Sequence, residues 1–282
     1  MIGGALALVA SLFLGVGDFL GGVLSRRLPL VTVLVLSQAV ATVIILTRLV
    51  WEDPLPGLPG AVLWGVIGGV ATAIGVSSLY AALASGTMGV IAPITALSVL
   101  VPVSAGVIGG DQLGWLLIVG IVLAILGTIM ASGPEFNNRS EGHGPKPIIL
   151  GLVSAVGFGF ANVSVAWGSA FNVTSTLVVN SLTVLLLYGV AAVALRQAPI
   201  ARGKELVGVV AIGILGISAQ LCWAIASTTG DLSVVGVLAS LYPVVTVLLG
   251  WWFLKERLMR IQIVGVVVVF VGVALIAVTT SS

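Results

Sequence analysis

Residues 2–24, IGGALALVASLFLGVGDFLGGVL, decide how the rest of the chain is read. About 20 apolar residues in a row cross the hydrocarbon core of a bilayer as one helix. This run meets that length and carries a single charge, Asp18, inside Leu14-Gly15-Val16-Gly17-Asp18-Phe19-Leu20. A carboxylate without a partner costs several kcal/mol at the centre of a bilayer, so intramembrane acids face a cavity or a partner rather than lipid. Of the nine acidic residues in the chain, Asp18 alone lies deep inside a predicted span. It is therefore the first candidate for function.

The same pattern continues to the end of the chain. Over 282 residues the composition is 59% hydrophobic and 7% charged, with a mean hydropathy of +1.29. Soluble domains carry about 25% charged residues, so a water-soluble fold is excluded. Ten apolar spans are predicted, near 2–24, 30–49, 61–84, 88–108, 114–132, 147–168, 173–195, 206–228, 232–254 and 259–279. They are continuously apolar rather than alternating, which points to helices and not to a β-barrel. The first span lacks a basic leader and a small-residue cleavage site, so it reads as a permanent helix. The lone Cys222 leaves no intrachain disulfide to form.

Charge placement predicts the orientation. Arg26, Arg27, Arg139, Lys146, Arg196, Arg202, Lys204, Lys255, Arg257 and Arg260 follow odd-numbered spans, and Arg48 alone lies on the other side, with Glu52, Asp53, Asp111 and Asp231. Positive residues in short loops stay cytoplasmic, so both termini are expected outside the cytoplasm of a plasma or inner membrane. The basic residues are spread over short loops beside membrane, which fits topology and not a nucleic-acid surface.

The polar stretch Gly133–Pro147 (GPEFNNRSEGHGPKP) divides the spans five and five. Residues 1–132 read as one five-helix repeat, 133–147 as a linker and 148–282 as the second repeat. Val9–Phe19 matches Val153–Val163, placing Asp18 over Asn162. Tyr80-Ala81 matches Trp223-Ala224, and Asp111-Gln112-Leu113 matches Glu256-Arg257-Leu258. Ile118-Val119-Gly120 recurs as Ile263-Val264-Gly265, and Gly127 as Gly272. Pro102 is aligned with Pro243, which requires the second half to be longer by four residues between prolines and acids. An odd number of spans per repeat forces the second copy to cross upside down, the plan by which many secondary transporters build two faces around one central site.

Polar residues recur on single helix faces: Ser11, Gly15, Asp18 and Gly22 in the first span, and Gly213, Gly216, Gln220, Trp223 and Ser227 in the eighth. Thr176, Asn180 and Thr183 form a stripe in the seventh, with Asn162 in the sixth and Gln38 and Thr42 in the second. An amide in lipid needs a partner, so these point inward; interhelical hydrogen bonding and cavity lining both satisfy that need. Pro93 and Pro102 in the fourth span and Pro243 in the ninth each free a carbonyl one turn earlier. Ser98 and Ser240 lie near them, and interrupted spans at matching places in two halves point to a transporter's site. Tyr80, Trp223 and Tyr242 are candidate aromatic walls, whereas Trp51, Trp64, Trp115, Trp251 and Trp252 read as interfacial anchors. Gly15-Val16-Gly17 lacks the third glycine and the strand of a dinucleotide loop, there is no P-loop, and His143 has no visible metal partners. No cofactor, metal or enzymatic activity is expected.

These segments resemble the EamA branch of the drug/metabolite transporter superfamily along the whole chain. The resemblance rests on Gly15–Gly21 running into Ser25-Arg26-Arg27, on Ser37-Gln38, and on Gly230-Asp231-Leu232-Ser233 through Ser240-Leu241-Tyr242-Pro243. It continues in Leu254-Lys255-Glu256-Arg257-Leu258 and Gln262-Ile263-Val264-Gly265. It implies an all-α polytopic membrane protein of ten helices in two inverted five-helix repeats, moving a small metabolite by alternating access through a cavity shared by both repeats. The expected partners are a small-molecule substrate, the lipid bilayer and protons as candidate coupling ion, with no nucleic acid. No Lys or Arg lies at mid-membrane depth, so polar, zwitterionic or amphipathic solutes, amino acids among them, fit better than strong anions. A broad drug exporter and a channel are the other readings. The candidate binding or coupling set is Asp18, Gln38, Tyr80, Ser98, Pro102, Asn162, Asn180, Gln220, Trp223, Ser240, Tyr242 and Pro243.

Overall fold

In lipid every backbone N–H and C=O needs an internal partner, and continuous apolar runs meet that need as helices. The structure, a computed structural model, describes residues 2–49, 58–85, 91, 94–111, 114–132, 146–254 and 260–280, and these form helices with no strand among them. The helices are α1 (Ile2–Ser25), α2 (Leu30–Arg48), α3 (Leu58–Ser85), α4 (Leu100–Ile108), α5 (Trp115–Ser132), α6 (Lys146–Ser169), α7 (Val173–Ala194), α8 (Lys204–Thr229), α9 (Leu232–Ala239), α10 (Tyr242–Leu254) and α11 (Arg260–Thr280). By length and composition α1, α2, α3, α6, α7 and α8 suffice to cross a membrane. Four shorter apolar stretches accompany them: Ile94–Ile108, Trp115–Met130, Leu232–Thr246 and Ile263–Ile276. Of the residues singled out above, Trp51, Glu52, Asp53, Pro93, Gln112, Leu113, Lys255, Glu256, Arg257, Leu258 and most of the 133–147 stretch lie outside the described residues.

Helices meet where side chains are missing. A Cβ placed on Gly127 of α5 would fall 2.6 Å from the backbone N of Val269 in α11, and one on Gly272 would fall 2.6 Å from that of Ala124. Gly157 of α6 lies against Gly75 of α3 in the same way, at 2.8 Å. Lipid tails are as apolar as leucine, so helices in a membrane associate through such close backbone approach rather than by hiding from solvent.

The contacts also give direction. Along α1, Gly3 faces Thr229, Gly17 faces Leu215 and Leu24 faces Gly208 of α8, so the two run antiparallel. Trp64 faces Gly168, and Gly75 faces Phe158, which makes α3 and α6 antiparallel as well. Since α6 and α8 are separated by one intervening helix, α1 runs opposite to α6, its counterpart. The second repeat is inverted.

Paired contacts fix the register between the repeats. Gly15 packs on Tyr242 O and Val245, while Gly159 packs on Ser98 O and Val101; Leu24 meets Gly208 as Gly168 meets Trp64. Each residue of the first repeat in these pairs has its counterpart 144 positions later, and in the α5–α11 pair 145 later. This register corrects the alignment of Pro102 with Pro243. The counterpart of Pro102 is Thr246, Tyr242 stands opposite Ser98, and no four-residue insertion separates the halves.

The register also puts the helix interruptions at the same place. A 3-10 turn over Leu97–Val99 precedes α4, and the break between α9 and α10 falls at Ser240–Leu241. Pro243 does not kink a helix. It lies in the first turn of α10, where the missing N–H has no helical partner to lose. Pro102 does interrupt the ladder, because the carbonyl of Ser98 four residues earlier receives no N–H from it.

One link ties the repeats where α4 ends and α9 begins. Ser233 donates to Asp111 Oδ2 through its backbone N–H at 2.9 Å and its hydroxyl at 2.7 Å. Asp111 therefore caps the N-terminus of α9 from the other repeat, and its charge suits the helix dipole there. Asp111→Ala should lower unfolding stability by about 0.5–2 kcal/mol and Asp111→Asn by less, as read by thermal unfolding in detergent. Gly127→Leu should destabilise by about 1–3 kcal/mol through overpacking. Gly189→Ala in α7, where a Cβ meets nothing within 4 Å, should leave stability unchanged or raise it by a few tenths of a kcal/mol. A neutral Gly127→Leu would mean that the α5–α11 contact is looser than described.

Candidate functional site

A cavity of about 140 Å³ lies between the two repeats. That exceeds the space one or two buried waters occupy, so it has room for a small solute. The first repeat supplies Asp18 from α1, Gln38 from α2, Tyr80 from α3, and Ser98 and Pro102 around the interrupted fourth helix. The second supplies Asn162 from α6, Gln220 and Trp223 from α8, and Ser240 and Tyr242 from the α9–α10 break. Asn180 and Pro243 stand apart from this wall. Asn180 is fully buried with neither side-chain polar atom partnered, and its Nδ2 lies 3.0 Å from where a Cβ on Gly68 would be. It belongs to the packing of α3, α6 and α7. Trp64 is no lone anchor either: its ring stands edge-on to Trp167, with centroids 4.8 Å apart.

Polar groups in the wall divide by whether the protein already uses them. Gln38 Nε2 donates to Ser181 O on α7 at 3.2 Å, Trp223 Nε1 donates to Asn162 O at 3.1 Å, and Ser240 Oγ donates to Val237 O at 2.8 Å. These bonds hold the wall's shape. In contrast, Asp18 Oδ2 and Thr72 Oγ1 are buried without a hydrogen-bond partner, while the Tyr242 hydroxyl has the Thr95 and Ser98 side chains beside it. The side chains of Asn162 and Gln220 are half-buried and open onto the same cavity. Buried polar groups are nearly always paired, so unpaired ones that line a cavity mark where a ligand or water would bind.

The inverted repeat turns one position into two ends. Gly3 faces Thr229 and Gly17 faces Leu215, which sets Trp223, bonded to Asn162 O, level with Val9. At 1.5 Å per residue Asn162 is therefore roughly 14 Å from Asp18 along α1. Tyr80 stands near the first end, its ring and hydroxyl seated against Gly21, one turn beyond Asp18. Trp223 stands at the second, bonded to Asn162 O. The register further equates Val76 with Gln220 and Thr72 with Gly216, all four lining the cavity, and it corrects the match of Tyr80 with Trp223: Tyr80 stands opposite Ala224, and Trp223 opposite Leu79.

Sequence reasoning missed Thr72, together with Phe13 and Phe158, which also line the cavity. Thr72 lies on a helix without a polar stripe, so nothing local marked its face. The repeat register finds it, because its counterpart Gly216 belongs to the stripe already recognised on α8.

An apolar helical bundle with two inverted repeats around a shared cavity defines a multi-pass membrane protein of the transporter class. The family model described as the EamA-like transporter family matches residues 1–133 and again 145–278, and the chain belongs to that family, a membrane transporter of the drug/metabolite type. No curated protein sequence matches the chain. A protein crystal structure superimposes on it with a TM-score of 0.71 at 21% identity, covering 96% of each chain; at that identity the likeness shows the fold.

An isolated buried carboxylate opposes folding, so Asp18→Asn should unfold at the same or a higher temperature than the wild type in detergent. A clear drop in Tm would mean that a partner holds the carboxylate and that the site is structural.

Proposed function

We propose that this chain is a secondary carrier of ten membrane spans, arranged as repeats 1–132 and 148–282 about the linker 133–147. It moves a small polar, zwitterionic or amphipathic metabolite by alternating access, in the direction of export. The observation that carries this reading is the cavity between inverted repeats, where a buried carboxylate oxygen without a partner at one end stands opposite the amides Asn162 and Gln220 at the other. Inverted repeats let one bundle present the same central site to either side by rocking one half against the other.

Asp18 is the proposed coupling group. A carboxyl that faces a cavity can take up a proton from one side and release it to the other, and the described wall contains no other acid and no base. Gln38, Tyr80, Ser98, Pro102, Asn162, Gln220, Trp223, Ser240 and Tyr242 are proposed to bind or shape the substrate. Charge asymmetry supports both termini lying outside the cytoplasm.

Purified protein in liposomes loaded with pooled metabolites, under an imposed pH gradient, tests the reading. Mass spectrometry should find saturable, gradient-driven loss of a few compounds from wild-type vesicles and at least a tenfold slower loss with Asp18→Asn. Saturable loss that the mutation leaves intact would remove the coupling role and keep the carrier. Unsaturable flux without counterflow would replace the carrier by a channel.

A further inference from the structure

The two ends of the cavity differ chemically although their backbones are equivalent. At one end Asp18 Oδ2 is unpaired and its residue is 7% exposed. The Tyr80 ring rests on Gly21 and the Tyr242 backbone carbonyl rests on Gly15, one on either side of Asp18 along α1, and both tyrosines line the cavity with it. At the other end the counterpart of Asp18 is Asn162, joined by Gln220 and the indole of Trp223. Among the described lining residues there is no Lys, Arg or His, and no acid besides Asp18. Phe13, Phe158, Leu14 and Val76 give the space between an apolar wall.

Resting on the carrier reading above, we infer that the solute is an amphipathic amine. Its single protonated nitrogen pairs with the Asp18 carboxylate between Tyr80 and Tyr242, and its uncharged polar end meets Asn162 and Gln220. An ammonium donates to a carboxylate in a charge-assisted bond, about twice as strong as a neutral one, and aromatic faces add attraction for a cation in a site shielded from water. A carboxylate on the same solute finds no cation in the wall, and stripping it of water without a counter-charge is costly. The cavity therefore selects the amine over the amino acid of the same skeleton.

The test is equilibrium binding to the full chain in nanodiscs with three probes of one skeleton: phenethylamine, phenethyl alcohol and phenylalanine. Phenethylamine should bind about tenfold or more tightly than either of the others. Asp18→Asn should bring phenethylamine down to the level of phenethyl alcohol, with a melting temperature no lower than the wild type's showing that the variant is folded. Exchanging the ends, Asp18→Asn with Asn162→Asp, should restore the preference for the amine. Equal affinity for all three probes, preference for phenylalanine, or no saturable binding of phenethylamine would overturn the proposal. Saturable counterflow of phenylalanine without any preference for the amine would sink it and leave the carrier reading standing. Tight, Asp18-dependent amine binding without exchange across the membrane would sustain it and remove the carrier.

Discussion

Close backbone approach at glycine is the interaction on which this fold depends. Helices inside a bilayer gain nothing by hiding apolar side chains from lipid, so what holds them together is dispersion at short range and a few interhelical hydrogen bonds. The heaviest packing joins α3 to α6, α5 to α11 and α1 to α8; in the first two pairs a Cβ on the contact glycines would collide with the facing helix, and α1 and α8 approach at Gly3 and Gly208, where a Cβ would lie 3.1 and 3.0 Å from its nearest neighbour. Two of these pairs exchange into each other when the repeats are swapped, and the third exchanges into itself. The glycines thus stabilise the bundle and impose its symmetry at once. Polar bonds follow the same plan, with Gln38 and Thr42 of α2 both donating to Ser181 O of α7 across the equivalent helices.

Because the framework is symmetric, differences between equivalent positions acquire meaning. Asp18 against Asn162, Ser98 against Tyr242 and Val76 against Gln220 all occupy the cavity wall, and each pair differs in charge, size or hydrogen-bonding capacity. Positions between closely packed helices are more alike, as with Gly127 and Gly272 or Gly15 and Gly159, since any side chain there meets backbone. Packing constrains one set, and the other set is free to become a site.

Much of this was legible in the sequence, for physical reasons that also explain the failures. The spans were visible because a bilayer demands long apolar runs, and Asp18 because a charge within one is costly. The inverted plan followed from an odd number of spans per half. The proline alignment failed because it matched residue identity rather than packing: Pro243 starts a helix while Pro102 interrupts one, and only the seating of Gly15 and Gly159 reveals that Thr246 is the counterpart. Asn180 was drawn toward the cavity by its stripe with Thr176 and Thr183. A stripe shows that a face avoids lipid but not whether it meets a cavity or another helix. Thr72 was missed by the converse, a wall residue on a helix with no stripe to mark it.

The asymmetry at Pro102 and Thr246 bears on how two access states would differ. Thr246 Oγ1 donates to Gly15 O and to Tyr242 O, each at 3.1 Å, and so ties the α9–α10 break to α1. Pro102 occupies the equivalent place with neither a hydroxyl nor an N–H, so the Ser98 carbonyl takes a 3-10 bond from the cap of the Leu97–Val99 turn and Pro102 makes no matching tie to α6. If both breaks act as hinges, the one in the second repeat is braced by a hydrogen bond that the first lacks. A bundle with identical repeats would hold its two inverted states at equal energy. Here the brace and the lone carboxylate each favour one arrangement over its mirror image. A bound ligand shifts such an equilibrium only by its differential affinity for the two states. A solute or proton at Asp18 changes the energy of the one end that has no chemical equal, which makes that residue the place where binding can be converted into a change of state.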